Sequence, residues 1–202
     1  MPAKTQPKEP PAPKRAMSIH AHPDDQEFTV GGTLAKWARA GCEVVTVCIT
    51  SGGAGSNKYT PLDMTRHALV ALREDEQREA CQLLGVKETI FLRYEDGMLE
   101  PSIALRKDLT RLIRRFRPEV VLTGDPTVRF YGSTYMNHPD HRVAAVAGGH
   151  SGRAEFHAAG RVVISRQGMP PRPRSGSAAR PWCPRRARRP RPSPQRGRRT
   201  RP

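Results

Sequence analysis

The chain has 202 residues, with 35 Lys+Arg against 19 Asp+Glu and a formal net charge of +16. The excess is uneven: Met1 to His150 carry a net of +2, whereas Ser151 to Pro202 hold 15 arginines and a single acid, Glu155. Residues 1–150 therefore read as a near-neutral globular domain long enough to bury a core, and the whole-chain charge does not make that domain a nucleic-acid binder. No stretch approaches the about 20 apolar residues of a membrane span, and Met1 to Ala16, rich in Pro, Lys and Ala, has no apolar leader segment. Cys42, Cys48, Cys81 and Cys183 show no CxxC spacing, which predicts reduced thiols in a cytoplasmic protein.

From Met17 short apolar runs alternate with longer helical patterns, which predicts βα units around a parallel sheet. Residues 17–21 read as a strand running into His22. Residues 29–40 read as a helix with Leu34 and Trp37 on one face, closed by Gly41. A strand over 43–50 leads into the Gly/Ser loop 51–57, and a helix over 64–84 stops at Gly85. A strand over 89–92, a helix over 101–116 ending before Pro118, and a strand over 119–123 follow; the next helix begins near Asp140. The expected fold is α/β and Rossmann-like, a parallel sheet with helices on both faces. The domain spans 17–150, flanked by a disordered 1–16 and an Arg/Pro-rich, disordered 151–202.

Two stretches concentrate chemistry: His22-Pro23-Asp24-Asp25 and His138-Pro139-Asp140-His141. In each a proline fixes φ and removes a donor, so the ligand-type side chains sit on a stiffened turn. Two neutral imidazoles, one carboxylate and an open position make a hydrolytic Zn²⁺ or a non-haem Fe²⁺ centre. Either stretch alone is as readily an ordinary polar loop. Both fall at carboxyl ends of strands, where open α/β sheets gather their ligands, so the pair predicts one split metal site if strands one and four are neighbours. Ser51-Gly52-Gly53-Ala54-Gly55 lacks the Lys-Ser/Thr of a P-loop and the GxGxxG spacing, so it predicts an open floor to the site and no nucleotide cradle.

Ala21-His22-Pro23-Asp24-Asp25 with Glu27, the Gly31-Gly32-Thr33-Leu34 helix start, Thr50-Ser51-Gly52-Gly53, Arg73 with Glu76, Asp96-Gly97 and His138-Pro139-Asp140-His141-Arg142 together resemble the PIG-L/LmbE-like N-acetylglucosaminyl deacetylases. The resemblance runs from about Met17 to Ala147. It implies an LmbE-like fold and Zn²⁺-dependent hydrolysis, with Fe²⁺ an alternative metal, of an N-acetyl group on a small amino-sugar conjugate. By position it implies His22, Asp25 and His141 as metal ligands, Asp24 as the general base that deprotonates the attacking water, and His138 as the group stabilising the oxyanion. Arg73 and Asp96 would contact sugar hydroxyls. Inositol, malate and sugar oligomers all stand as aglycones in such a family, and the residues quoted do not choose between them. Plainer readings stand beside these: Asp140 as a helix cap, Arg73 on a solvated helix face beside Glu74 and Asp75, and Asp96-Gly97 as a simple turn. Tyr135 and Asn137 precede the second motif closely enough to reach substrate.

Beyond Gly148 the resemblance stops. The remaining stretch has nine prolines and no Lys, Leu, Asp, Asn or Tyr, a composition that GC-rich DNA encodes out of frame, so a frameshift product is expected. Reading the gene in its other frames checks this: no family-like sequence after codon 148 sinks it. The alternative is an inactive, truncated homologue whose arginines bind nucleic acid or other polyanions non-specifically. With Phe156 and Trp182 as the tail's aromatics, base stacking would add little.

Overall fold

The computed structural model describes residues 11–132, 135–155 and 161–165. In chain order the elements are β1 (Arg15–His20), α1 (Asp25–Thr29), α2 (Gly31–Arg39), β2 (Glu43–Thr50), α3 (Arg66–Leu84), β3 (Glu88–Tyr94), α4 (Ile103–Phe116), β4 (Val120–Gly124), the short hairpin β5 (Phe130–Tyr131) and β6 (Tyr135–Met136), α5 (Pro139–Glu155) and β7 (Arg161–Ser165). The main sheet runs β3-β2-β1-β4-β7 and every pair in it is parallel. The chain leaves β1 in one direction to build β2 and β3 and returns on the other side to build β4. The β1/β4 boundary is therefore a topological switch point, the place where open α/β sheets form a crevice.

Alternation along the strands sends two apolar sets to opposite faces. Met17, Ile19, Val45, Val47, Ile49 and Val121 pack with Leu105, Leu109 and Ile113 of α4 and with Ala144 and Ala147 of α5. The α4 residues recur every fourth position, so they form one stripe, and burying each contributes about 1.5–3 kcal/mol. On the other face Ala16, Val44, Val120 and Leu122 meet Val30, just before α2, and Leu34 within it. Helices thus cover both faces, as the sequence predicts.

Differences lie mostly at boundaries. β1 begins at Arg15, paired with Glu43, two residues inside the segment read as disordered. Arg15 is exposed and Ala16 small, so neither announces a strand. α3 and α4 each start two residues later than predicted because the preceding hydroxyl caps them. Thr65 Oγ1 accepts the Ala68 N–H at 3.1 Å, and Ser102 Oγ accepts that of Leu105 at 3.2 Å. β7 corrects a larger expectation: residues 161–165, read as part of the disordered tail, pair with β4 from Val120↔Arg161 to Gly124↔Ser165. The run Val162-Val163-Ile164 is β-branched, a strand signal submerged in the tail's overall composition. The rest of the tail beyond β7, with its frameshift and polyanion readings, lies outside the described residues, as do residues 1–10.

Candidate metal centre

β1 delivers the first motif. The chain turns at Asp24, whose φ of 79° lies in the left-handed region, a conformation that costs a non-glycine residue about 1–2 kcal/mol. Two contacts hold it. The Asp24 N–H donates to Gln77 Oε1 at 2.6 Å, and Arg73 Nη2 donates to the Pro23 carbonyl at 3.0 Å. Asp25 folds back to accept the His22 N–H at 2.9 Å. β4, through the loop behind it, delivers the second motif at the start of α5. Because β1 and β4 pair directly, His22 and His141 meet across the switch point, with His22 Nδ1 3.1 Å from His141 Nε2.

Asp25 closes a triangle with them, its carboxylate 3.0 Å from His141 Nε2 and 3.5 Å from His22 Nδ1. Ligand atoms about 2.0–2.2 Å from a tetrahedral cation stand roughly 3.3–3.5 Å apart, so the spacing fits one. The far nitrogens of both rings are engaged as well. His22 Nε2 lies 3.0 Å from Asp96 and 3.3 Å from Asp140. His141 Nδ1–H donates to Asn137 Oδ1 at 3.3 Å. Carboxylate and amide partners of this kind put the proton on the outer nitrogen and leave the inner lone pair free for a metal. His138 also brings a ring nitrogen within 4.8 Å of those of His22 and His141, and the set His22, Asp96 and Asp140 is equally compact.

Charge concentrates accordingly. Burial alone would lower His22, but its hydrogen bonds to Asp25 and Asp96 outweigh that and raise it to about 10. Burial pushes Asp25 up, yet hydrogen bonds from His141 and His22 hold it well below the usual carboxylate range. Asp96 is lowered to about 2, first by His22, against burial and with the Ala54 N–H assisting. The cluster therefore favours a positive charge at this point, carried without a metal by a proton on the inner nitrogen of His22, the place a bound cation would take. Asp24 is different: its side chain is 57% exposed, and burial of the rest, opposed by Arg73, raises its pKa. His138 is lowered by burial and by His22, and its Nδ1 accepts the Asp140 N–H at 3.2 Å, so the neutral ring donates through Nε2.

The structure brings His22, Asp24, Asp25, Asp96, His138 and His141 into one cluster, with Arg73 at its edge. Arg73 is not on a solvated face: it donates to Asp24 Oδ2 at 3.0 Å and to the Gly52 carbonyl at 3.3 Å. Gly52 adopts a φ of 68°, and a side chain there would overlap that guanidinium, so the glycine floor is built around Arg73. Asp96 lies in a turn, and its carboxylate faces His22 at 3.0 Å and accepts the Ala54 N–H at 2.8 Å. Asp140 is no helix cap. Fully buried, it accepts the Gly97 N–H at 2.8 Å and that of Leu99 at 3.3 Å, tying the β3–α4 loop to His22. Asn137, also buried, faces His141, with its amide orientation set by donation to the Val128 carbonyl at 2.9 Å. Gln77 and Asn137 went unread as supports, although helical spacing carried a trace of each, four residues from Arg73 and His141 respectively.

Residues 17–150 match the GlcNAc-PI de-N-acetylase (PIG-L) family. The diacetylchitobiose deacetylase of Thermococcus kodakarensis is 34% identical over 135 residues, 67% of this chain and 48% of that protein. The 1D-myo-inositol 2-acetamido-2-deoxy-alpha-D-glucopyranoside deacetylase of Thermobispora bispora is 34% identical over 154 residues, 64% of this chain and 48% of that protein. Among solved structures, the N,N'-diacetylchitobiose deacetylase of Pyrococcus horikoshii superposes with a TM-score of 0.64 at 37% identity, over 70% of this chain and 50% of that one. The chain spans about half the length of these relatives. With the match covering two thirds of its residues and both His motifs, the chain belongs to the GlcNAc-PI de-N-acetylase (PIG-L) family.

Proposed function

We propose that the chain is a metal-dependent N-deacetylase acting on an N-acetylglucosamine-type conjugate, converting the acetamide and water to acetate and a free amine. The observation that carries this reading is the convergence of His22 Nδ1, His141 Nε2 and Asp25 within 3.5 Å of one another, with the outer ring nitrogens already satisfied. These three residues would hold Zn²⁺, and the same donor set accepts Fe²⁺. Such an ion, when bound, activates water near neutral pH and polarises the amide carbonyl.

The chain's own groups supply the rest. Asp24, beside Asp25 and exposed to the cleft, takes the proton of the attacking water and returns it to the leaving nitrogen. Its raised pKa suits a base that must also act as an acid. His138 donates through Nε2 to the oxygen on which negative charge develops, a contact worth about 3–4 kcal/mol in the transition state. Arg73 keeps the Asp24 carboxylate turned inward. The buried free thiols Cys42, Cys48 and Cys81 support a reducing compartment, the cytoplasm, and no described helix is long and apolar enough to cross a membrane.

The test is to purify the full chain, quantify bound metal and follow amine release from N-acetylglucosamine conjugates with and without added Zn²⁺. One metal per chain with metal-dependent amine release is expected. Metal binding without amine release from any conjugate would sink the hydrolase reading, and absence of metal would sink the site.

A further inference from the structure

Asp24 is held through its backbone on both sides. Its N–H donates to Gln77 Oε1 at 2.6 Å, and its carbonyl accepts the N–H groups of Glu27 at 3.1 Å and Phe28 at 3.3 Å. The bond to Gln77 secures the left-handed φ of 79°, a conformation that persists in a non-glycine residue only where the surroundings over-determine it. The pose of Asp24 therefore depends on which way the Gln77 amide faces.

Gln77 is 2% exposed, and both of its amide hydrogens are committed. Nε2 donates to Glu27 Oε1 at 2.8 Å and to Cys81 Sγ at 3.1 Å. Turned over, the amide would set its NH2 against the Asp24 N–H and its oxygen against the Glu27 carboxylate, and both bonds would be lost. Cys81 cannot make this choice, because a thiol is both a weak donor and a weak acceptor and serves either orientation. The Glu27 carboxylate only accepts, so it selects the orientation that turns Oε1 toward Asp24. Its other oxygen, Oε2, is buried with no hydrogen-bond partner among the described residues. An oxygen left in that state lowers stability, so packing does not call for a carboxylate at this place. The bond from Gln77 to Oε1 gives it a role.

We propose that Glu27 is a positioning residue: by fixing the Gln77 amide it holds Asp24 in its left-handed turn, with the carboxylate presented to the cleft. The proposal rests on the deacetylase reading for what Asp24 does there, whereas the hydrogen bonds that hold Asp24 stand apart from it. Without Glu27 the amide turns over, the Asp24 N–H loses its acceptor, and the residue relaxes toward ordinary φ. The metal-type ligands His22, Asp25 and His141 keep their own contacts.

The test compares Glu27→Leu, Gln77→Leu and Glu27→Gln with the unsubstituted full chain, all loaded with Zn²⁺, by two readouts. The first, amide hydrogen exchange followed by NMR, needs no turnover. Exchange at the Asp24 N–H should quicken at least about tenfold in both leucine variants. In Glu27→Gln, whose amide oxygen can replace Oε1, it should stay within about threefold. The Val30 N–H, bonded to the Gln26 carbonyl at 2.8 Å, is the control and should not move. The second readout is amine release. The leucine variants should lose kcat about tenfold with KM and bound metal unchanged, and Glu27→Gln should restore it to within about threefold. Asp24 exchange unmoved by Glu27→Leu, quickened exchange at Val30 as well, loss of metal, or an unchanged kcat despite a loosened Asp24 would each overturn the proposal. So would a Glu27→Gln protein as impaired as Glu27→Leu. If the unsubstituted protein releases no amine, the hydrolase reading fails, and Asp24 exchange alone decides whether Glu27 sets its pose.

Discussion

Asp24 and Asp25 are adjacent, chemically identical and differently employed, and the difference is environmental. Asp25 is 8% exposed and clamped between two imidazoles, whereas the Asp24 side chain is 57% exposed and reaches the cleft beside Arg73. Asp24→Ala should therefore keep the metal and lose turnover by about 10²–10⁴, the usual contribution of a general base, while His22→Ala should lose metal and turnover together. Metal analysis alongside single-turnover rates decides this, and equal metal loss in the two variants refutes the division of roles. Asn137 acts through His141. Its side-chain amide is held between the Val128 carbonyl and the His141 ring, and its backbone is fixed by donation to the Arg129 carbonyl at 2.8 Å and by acceptance from Arg142 at 3.1 Å. Asn137→Leu should lower metal affinity about 10–100-fold in a chelator competition, and unchanged affinity would make it a packing residue only.

At the scale of elements, α3 does more than cover the sheet. Its Glu74, nearly buried, accepts from Ser51 Oγ at 2.7 Å, from Arg93 at 2.8 and 2.9 Å and from Arg78 at 2.8 Å. One carboxylate thus ties α3 to β3 and to the loop that supports Arg73. Hydrogen bonds from Arg93 first, then Ser51 and Arg78, overcome burial and lower its pKa to about 2 from 4.5. A depressed carboxyl contributes stability that is full above its unfolded pKa and lost as pH falls through the folded one, so the window runs from 4.5 down to about 2. With Arg93 and Arg78 exposed and screened, the contribution is about 2 kcal/mol. Urea midpoints should separate the unsubstituted protein from Glu74→Gln clearly at about pH 6 and much less at about pH 3. A gap independent of pH would mean that Glu74 is not charged in the folded state.

For the molecule as a whole, the sheet order and the two-faced core decide where the chemistry lies. Leu109 is fully buried where α4 lies on the sheet. Leu109→Ala should cost about 2–5 kcal/mol in a denaturant titration, without changing which metal or conjugate is bound. A change below about 1 kcal/mol would mean that this face collapses to fill the void. Periodicity and punctuation determined a good deal unaided. Alternating strands, helices closed by Gly41 and Gly85, and two His motifs at carboxyl ends of strands defined the α/β class and the metal-type residues. Those signals are local, repeating every two or 3.6 residues, and survive without knowledge of neighbours. What the tertiary structure alone decided was pairing. It turned Asp96 and Asp140 toward His22, placed Asn137 behind His141, set Gln77 under Asp24 and buried Glu74 against Arg93. These contacts join residues up to 118 positions apart, and no periodicity encodes a partner at that distance. They exist because β4 returns beside β1, and burial then obliges each polar group to find the partner which that return has brought within reach.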